Sequence, residues 1–156
     1  MQTIQLPKEG VGENFTMLVK NVDGSGSITT GMGVALCCLA ASIDGQAVVK
    51  GTLSTSSAGT TGATFLGIAN SDIPINGFGL ATIWGVANSV ALSAVGTSIT
   101  VTKGDMLIPS AITGTFFSGT VTNQALSSQL YHYMYALSTI TVSTTAYVSA
   151  FIKGSL

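Results

Sequence analysis

One histidine, two adjacent cysteines, six scattered carboxylates and five lysines bound whatever chemistry this chain could perform. A Ser-His-Asp set converges in space rather than in sequence, so His132 has to be weighed as a general base. It lies inside Tyr131-His132-Tyr133-Met134-Tyr135, the alternation of a strand on a packed or interfacial surface. No Gly-x-Ser-x-Gly elbow occurs, and no arginine exists to clamp an anionic substrate. Cys37 and Cys38 are neighbours, which point to opposite sides of a strand, and a bridge between them strains the intervening peptide. A zinc site needs further ligands at workable spacing, and a single histidine does not supply them. Gly77-Phe78-Gly79 leads into a strand-like run, whereas a dinucleotide loop has to open a helix. Gly24-Ser25-Gly26 lacks the Gly-Lys-Ser/Thr ending of a phosphate loop, and Asp23-Gly24-Ser25 is too short for a calcium loop. The six acids are too dispersed to suggest a glycosidase pair. The expectation is a non-enzyme with no cofactor and no metal. Asn14-Phe15-Thr16 fits a glycosylation sequon by chance.

Strands are the elements that must position these residues. No stretch keeps an apolar stripe at helical spacing with caps, while short β-branched or aromatic runs alternate with turn dipeptides. Asp23-Gly24, Asp44-Gly45 and Asn76-Gly77 are pairs that tolerate the positive φ of a type I′ hairpin, and Lys103-Gly104-Asp105 is a fourth turn. They separate predicted strands at 15–22, 33–43, 47–53, 64–69, 80–86, 98–102, 106–108, 114–122, 131–137 and 146–152. Period two puts Leu80, Thr82, Trp84 and Val86 on one face, with Trp84 expected in the core. It likewise aligns Tyr131, Tyr133 and Tyr135. Residues 51–62 are a low-complexity polar loop, and 123–129 a connection or short helix. Residues 1–14 hold Lys8, Glu9 and Glu13 and read either as an extended arm lying on another subunit or as a frayed terminus. The predicted organisation is an arm at 1–14 and an all-β domain at 15–156, an antiparallel β-barrel or β-sandwich.

Only 7% of the residues are charged, against roughly 25% in an ordinary soluble domain. Nucleic-acid binding requires clustered Lys and Arg to displace counterions, and five isolated lysines at a net charge of −1 do not provide it. Anionic membrane surfaces are excluded on the same ground. The apolar run 32–43 falls short of the roughly 20 residues of a spanning helix, no girdle of aromatics marks an outer-membrane barrel, and no basic leader is expected. No charge occurs between Ile73 and Thr102, nor between Met106 and Ile152. So uncharged an exterior associates unless other protein covers it, which predicts a long-lived oligomer. Expected interface residues are Lys8, Glu9, Glu13, Phe15, Tyr131, Tyr133 and Tyr135.

Three short patterns carry a resemblance. They are Phe65-Leu66-Gly67-Ile68-Ala69, then Leu80-Ala81-Thr82-Ile83-Trp84-Gly85-Val86-Ala87, then Gly104-Asp105-Met106-Leu107. Tyr135-Ala136-Leu137 and Ala146-Tyr147-Val148-Ser149-Ala150-Phe151-Ile152 follow as a closing pair of strands. This succession resembles the capsid cement, or head decoration, proteins of tailed phages. The chain departs from that pattern at Tyr133-Met134-Tyr135-Ala136-Leu137-Ser138, which lacks the family's first Gly and its Glu. The resemblance implies a compact β-barrel, commonly a homotrimer. Such a trimer binds the major capsid protein on the outer face of the phage head and stabilises contacts between capsomers. Two other readings stay open: another virion subunit (tail, fibre or minor capsid protein), and a lectin-like module using its aromatics on sugars.

Overall fold

The β-branched and aromatic runs of this chain have no way to satisfy their backbone groups except by pairing with one another. The computed structural model describes residues 14–36, 47–50, 65–94, 98–109, 116–118 and 133–153, and among them there is no helix. The strands are β1 (Phe15–Asn21), β2 (Gly33–Leu36), β3 (Ala47–Lys50), β4 (Phe65–Ala69), β5 (Phe78–Ser93) and β6 (Ile99–Val101). They continue as β7 (Met106–Pro109), β8 (Phe116–Ser118), β9 (Tyr133–Ala136), β10 (Ile140–Val142) and β11 (Thr145–Lys153). The protein is all-β, as its turn and strand signals predict. Cys37, Cys38, His132 and the segments 51–62 and 123–129 lie outside the described residues.

Nine strands form one sheet in the order β1-β3-β2-β4-β5-β11-β9-β7-β8, and β10 pairs with β6 in a second, two-stranded sheet. Two further pairings, β1–β5 and β5–β8, return the order on itself. The hydrogen-bonded neighbours therefore trace two five-strand circuits, and both pass through β5. The expected antiparallel arrangement needs correcting, because the sheet is mixed: β1 runs parallel to β3, and β5 parallel to β8. The remaining pairings are antiparallel.

Each circuit has its own core. Val19, Ile28, Val34, Val48, Ala69, Ile73 and Ala81 cluster within the first. Ala87, Val90, Leu92, Leu107, Met134, Val148, Ala150 and Ile152 cluster within the second, joined by Val101 and Val142 from the small sheet. Ile68 belongs to the second cluster although its strand, β4, stands in the first circuit. Sixteen residues of β5 thus supply both interiors, Ala81 to one and Ala87, Val90 and Leu92 to the other.

The handover along β5 occurs at Gly85. Before it, β5 pairs with β1 as far as Phe15↔Trp84; from it onward β5 pairs with β11, starting at Ile152↔Gly85. Gly85 holds φ near 100°, a region closed to residues with a Cβ, and a Cβ built there collides with the Asn14 side chain. Asn14 continues β1 by imitating a strand residue. Its Oδ1 accepts from the Val86 amide at 2.7 Å, and its Nδ2 donates to the Val86 carbonyl at 3.0 Å. The last residue of the expected arm is therefore bonded to the sheet, while residues 1–13 lie outside the described residues.

Two predicted turns behave differently from type I′ hairpins. At Asp23-Gly24 the chain turns on side chains: Asp23 Oδ1 accepts from the Ser25 amide at 2.8 Å and the Ser25 hydroxyl at 2.6 Å. Buried Asn21 clamps that turn, donating to the carbonyls of Gly26 and Ile73 and accepting from the Asp23 amide. At Asn76-Gly77 it is Asn76 alone that takes positive φ, near 59°. The Lys103-Gly104-Asp105 turn forms as expected, with Gly104 at φ near 93° and the Asp105 amide donating to Thr102 at 2.9 Å.

Two expectations follow from this build. Gly85→Ala should cost roughly 1–3 kcal/mol in urea unfolding from backbone conformation and collision. Removing the collision partner with Asn14→Ala should shrink that cost, since only the φ penalty then remains; equal costs in both backgrounds would contradict the packing described. The second expectation concerns acid. Burial opposes ionisation of Asp23, but hydrogen bonds from Ser25 and the Lys50 amide, with the Lys50 charge, outweigh it and lower its pKa below 3.8. Thr30, donating through amide and hydroxyl, lowers the exposed Asp72 likewise. A carboxylate whose folded pKa is depressed stabilises the fold above its unfolded pKa, and the contribution fades as pH falls through the folded value. Urea midpoints should therefore drop below about pH 4, and the drop should be shallower in Asp23→Asn with Asp72→Asn.

Candidate interaction surface

On β1 and the first half of β5, period two sends Val19 and Ala81 inward, so their neighbours Leu18, Lys20, Phe78 and Leu80 face out. The register places them opposite one another, Leu18 against Leu80 and Lys20 against Phe78. Cross-strand neighbours of this kind touch on one face of a sheet. The Lys20 ammonium lies 5.7 Å from the Phe78 ring centre, a cation over an aromatic face. None of the apolar members is covered: Leu18 is 48% exposed, Leu80 46% and Phe78 57%.

The β1–β5 register shifts between Phe15 and Thr16, and Phe15 alternates with Thr16 and Leu18 along β1, so a separate row of aromatic rings begins beyond the shift. Phe15, 49% exposed, stands opposite Trp84. Trp84 meets Phe151 of β11 edge-on, with ring centres 6.0 Å apart and planes inclined by 74°. Phe151 is opposite Tyr135 of β9, which is 37% exposed, and Tyr135 is opposite Met106 of β7. Met134 and Ala136 on either side of Tyr135, and Ala150 and Ile152 on either side of Phe151, are buried in the second core. The outward row therefore spans five consecutively paired strands: β1, β5, β11, β9 and β7. Its named members carry no charge. Lys153, opposite Tyr133 at the end of β11, lies to one side of it.

Of the interface residues read from sequence, Phe15 and Tyr135 sit on this row, linked through Trp84 and Phe151. The backbone of Tyr133 belongs to β9 beside them. Lys8, Glu9, Glu13 and Tyr131 lie outside the described residues. Trp84 was expected in the core and is instead half-buried on the outer face, in neither core cluster. Alternation does not carry one face through Leu80, Thr82 and Trp84, because Thr82 is buried and a register shift separates it from Trp84, and which side faces water depends on strands far along the chain. Leu18 and Phe151 were not singled out in the sequence for the same reason.

A second feature is a cleft of about 280 Å³ near the handover, lined in part by Asn14, Thr30, Asn70, Thr82, Asn88 and Ser89. Its polar side chains are largely engaged within the protein. Asn14 binds Val86, the Thr82 hydroxyl donates to Asn70 Oδ1 at 2.7 Å, and the Thr30 hydroxyl donates to Asp72 at 2.9 Å. Groups that close the structure on itself are poorly placed to hold a sugar or nucleotide, so the cleft is a weaker candidate than the outer face. Among the described residues no group of three or more His, Cys, Asp or Glu is placed to hold a metal ion. No protein-family model matches the chain, and no curated protein matches it.

The Trp84–Phe151 contact can be measured. A double-mutant cycle with Trp84→Leu and Phe151→Leu should return a coupling of about 0.5–1.5 kcal/mol in urea unfolding, the usual range for edge-to-face rings. Additive effects would mean that the two rings do not pack together.

Proposed function

We propose that the protein is a structural subunit that works by protein–protein contact, and specifically a cement protein of a tailed-phage head. In this reading it assembles with copies of itself, as a homotrimer, and seats on the major capsid protein at the outer surface of the shell. There it ties neighbouring capsomers together against internal pressure. The observation that carries the reading is the outward apolar row across five strands, in a chain with 7% charged residues. Exposed apolar surface of that extent marks contact with other protein. The residues 65–152, whose short patterns resemble the cement family, include most of the strands that build the row. A cement performs no bond chemistry; it needs buried area, shape fit and repetition, because many modest contacts over a lattice add through avidity.

The test uses phage shells prepared without the protein. Purified chain added back should co-sediment with the shells and raise the temperature at which they rupture. Phe15→Ser and Tyr135→Ser should each weaken binding severalfold. Failure of the unaltered chain to bind or protect such shells would remove the cement reading. Binding to tail or fibre preparations instead would move the protein to another part of the virion.

A further inference from the structure

We propose that Thr30 and Gly31 form a latch that fixes the angle between the two strand circuits, and that releasing it lets the circuits swing about Gly85.

The latch is anchored on the first circuit. Ile28 and Ile73, both in the first core, form a bridge in which each amide donates to the other's carbonyl, at 3.0 and 2.8 Å. Beside that bridge Asp72 Oδ1 accepts from the Thr30 amide at 2.7 Å and from the Thr30 hydroxyl at 2.9 Å. Gly31 then reaches across. Its amide donates at 2.9 Å to the carbonyl of Ala69, on β4 of the first circuit. Its carbonyl accepts at 2.9 Å from the amide of Ala91, in the half of β5 that pairs with β11. One residue is thus hydrogen-bonded to both circuits.

Only glycine fits there. Gly31 holds φ near 84°, and a Cβ built on it lies 2.8 Å from the Ser89 carbonyl oxygen and 3.2 Å from the Tyr147 ring. Ser89 and Tyr147 both belong to the second circuit, which therefore sits directly against the backbone of the latch.

The hinge lies in β5, the strand that the circuits share. Gly85 takes a positive φ, and a little further on the register against β11 shifts between Val148 and Ala150, opposite Asn88 and Ser89. A strand interrupted twice over so short a stretch bends more readily than a regular one. The cleft of about 280 Å³ provides room for that bend, since it is walled by Ile68 and Ala69 of β4 and by residues 86–89 of β5. Asn14, bonded at the hinge, and Thr30, of the latch, line it as well.

The outer row of rings crosses the same hinge. It passes from Phe15 of β1 to Phe151 of β11 by way of Trp84, next to Gly85. The angle that the latch fixes therefore also fixes how Phe15 stands to Phe151, whichever partner the outer face takes.

The test is native-state amide hydrogen exchange of the full chain by NMR, together with residual dipolar couplings. Asp72 is exposed, so Asp72→Ala frees Thr30 without opening either core. It should speed exchange of the Gly31 and Ala91 amides at least about tenfold, the signature of a local opening. The amides of buried Asn21 and Ala136, hydrogen-bonded within one circuit each, should change far less. One alignment should fit the couplings of both circuits in the unaltered chain, and two should be needed in Asp72→Ala and in Gly31→Ala. No acceleration, or equal acceleration at all four amides, would overturn the proposal. So would a common alignment that persists once the Gly31 and Ala91 amides are freed, because the latch would then set no angle.

Discussion

Everything in this fold depends on β5 being hydrogen-bonded into two circuits at once. A strand of sixteen residues crosses from one interior to the other, and its backbone must change partners without leaving donors or acceptors stranded. Gly85 and Asn14 solve that problem together. The glycine adopts a φ that other residues avoid, and the asparagine amide fills the place that a further residue of β1 would otherwise occupy. The two cores lie on either side of this point, so neither circuit is independent of the other.

The same strand explains the outer face. With Ala81 directed into the first core Leu80 faces out from it, and with Ala87 directed into the second Val86 and Trp84 face out from that one, a register shift lying between the two stretches. A monomer in water would ordinarily place Ser, Thr or a charge at such positions, as this chain does at many of its exposed sites. Here the exposed side is aromatic and aliphatic over five strands. Trp84 and Phe151 pack edge to face, which holds that part of the surface in shape and lowers the ordering cost of binding.

Much of the architecture was legible in the sequence, because strand existence follows from local pattern. Runs such as 15–22 and 146–152 appear as β1 and β11 with ends shifted by a residue. Less legible was β5, predicted to stop at Val86, because a glycine inside an apolar run looks like a terminus; only the Asn14 contact shows why the strand continues. β10 was missed outright. Parallel pairing and the two-circuit order were beyond reach, since both are set by contacts distant in sequence. For the candidate surface, composition pointed to covered apolar area and picked Phe15 and Tyr135. Joining them required knowing that β1, β5, β11 and β9 are consecutive neighbours.

Trp84 offers the most direct measurement of the central claim, that protein covers the outer face in the working state. As the chain's sole tryptophan, it reports its surroundings without interference. In the assembled particle or oligomer its emission should move to shorter wavelength and resist acrylamide quenching, relative to chains diluted to single molecules. An emission spectrum and quenching constant identical in the two states would show that the face stays in water, and the account would fail.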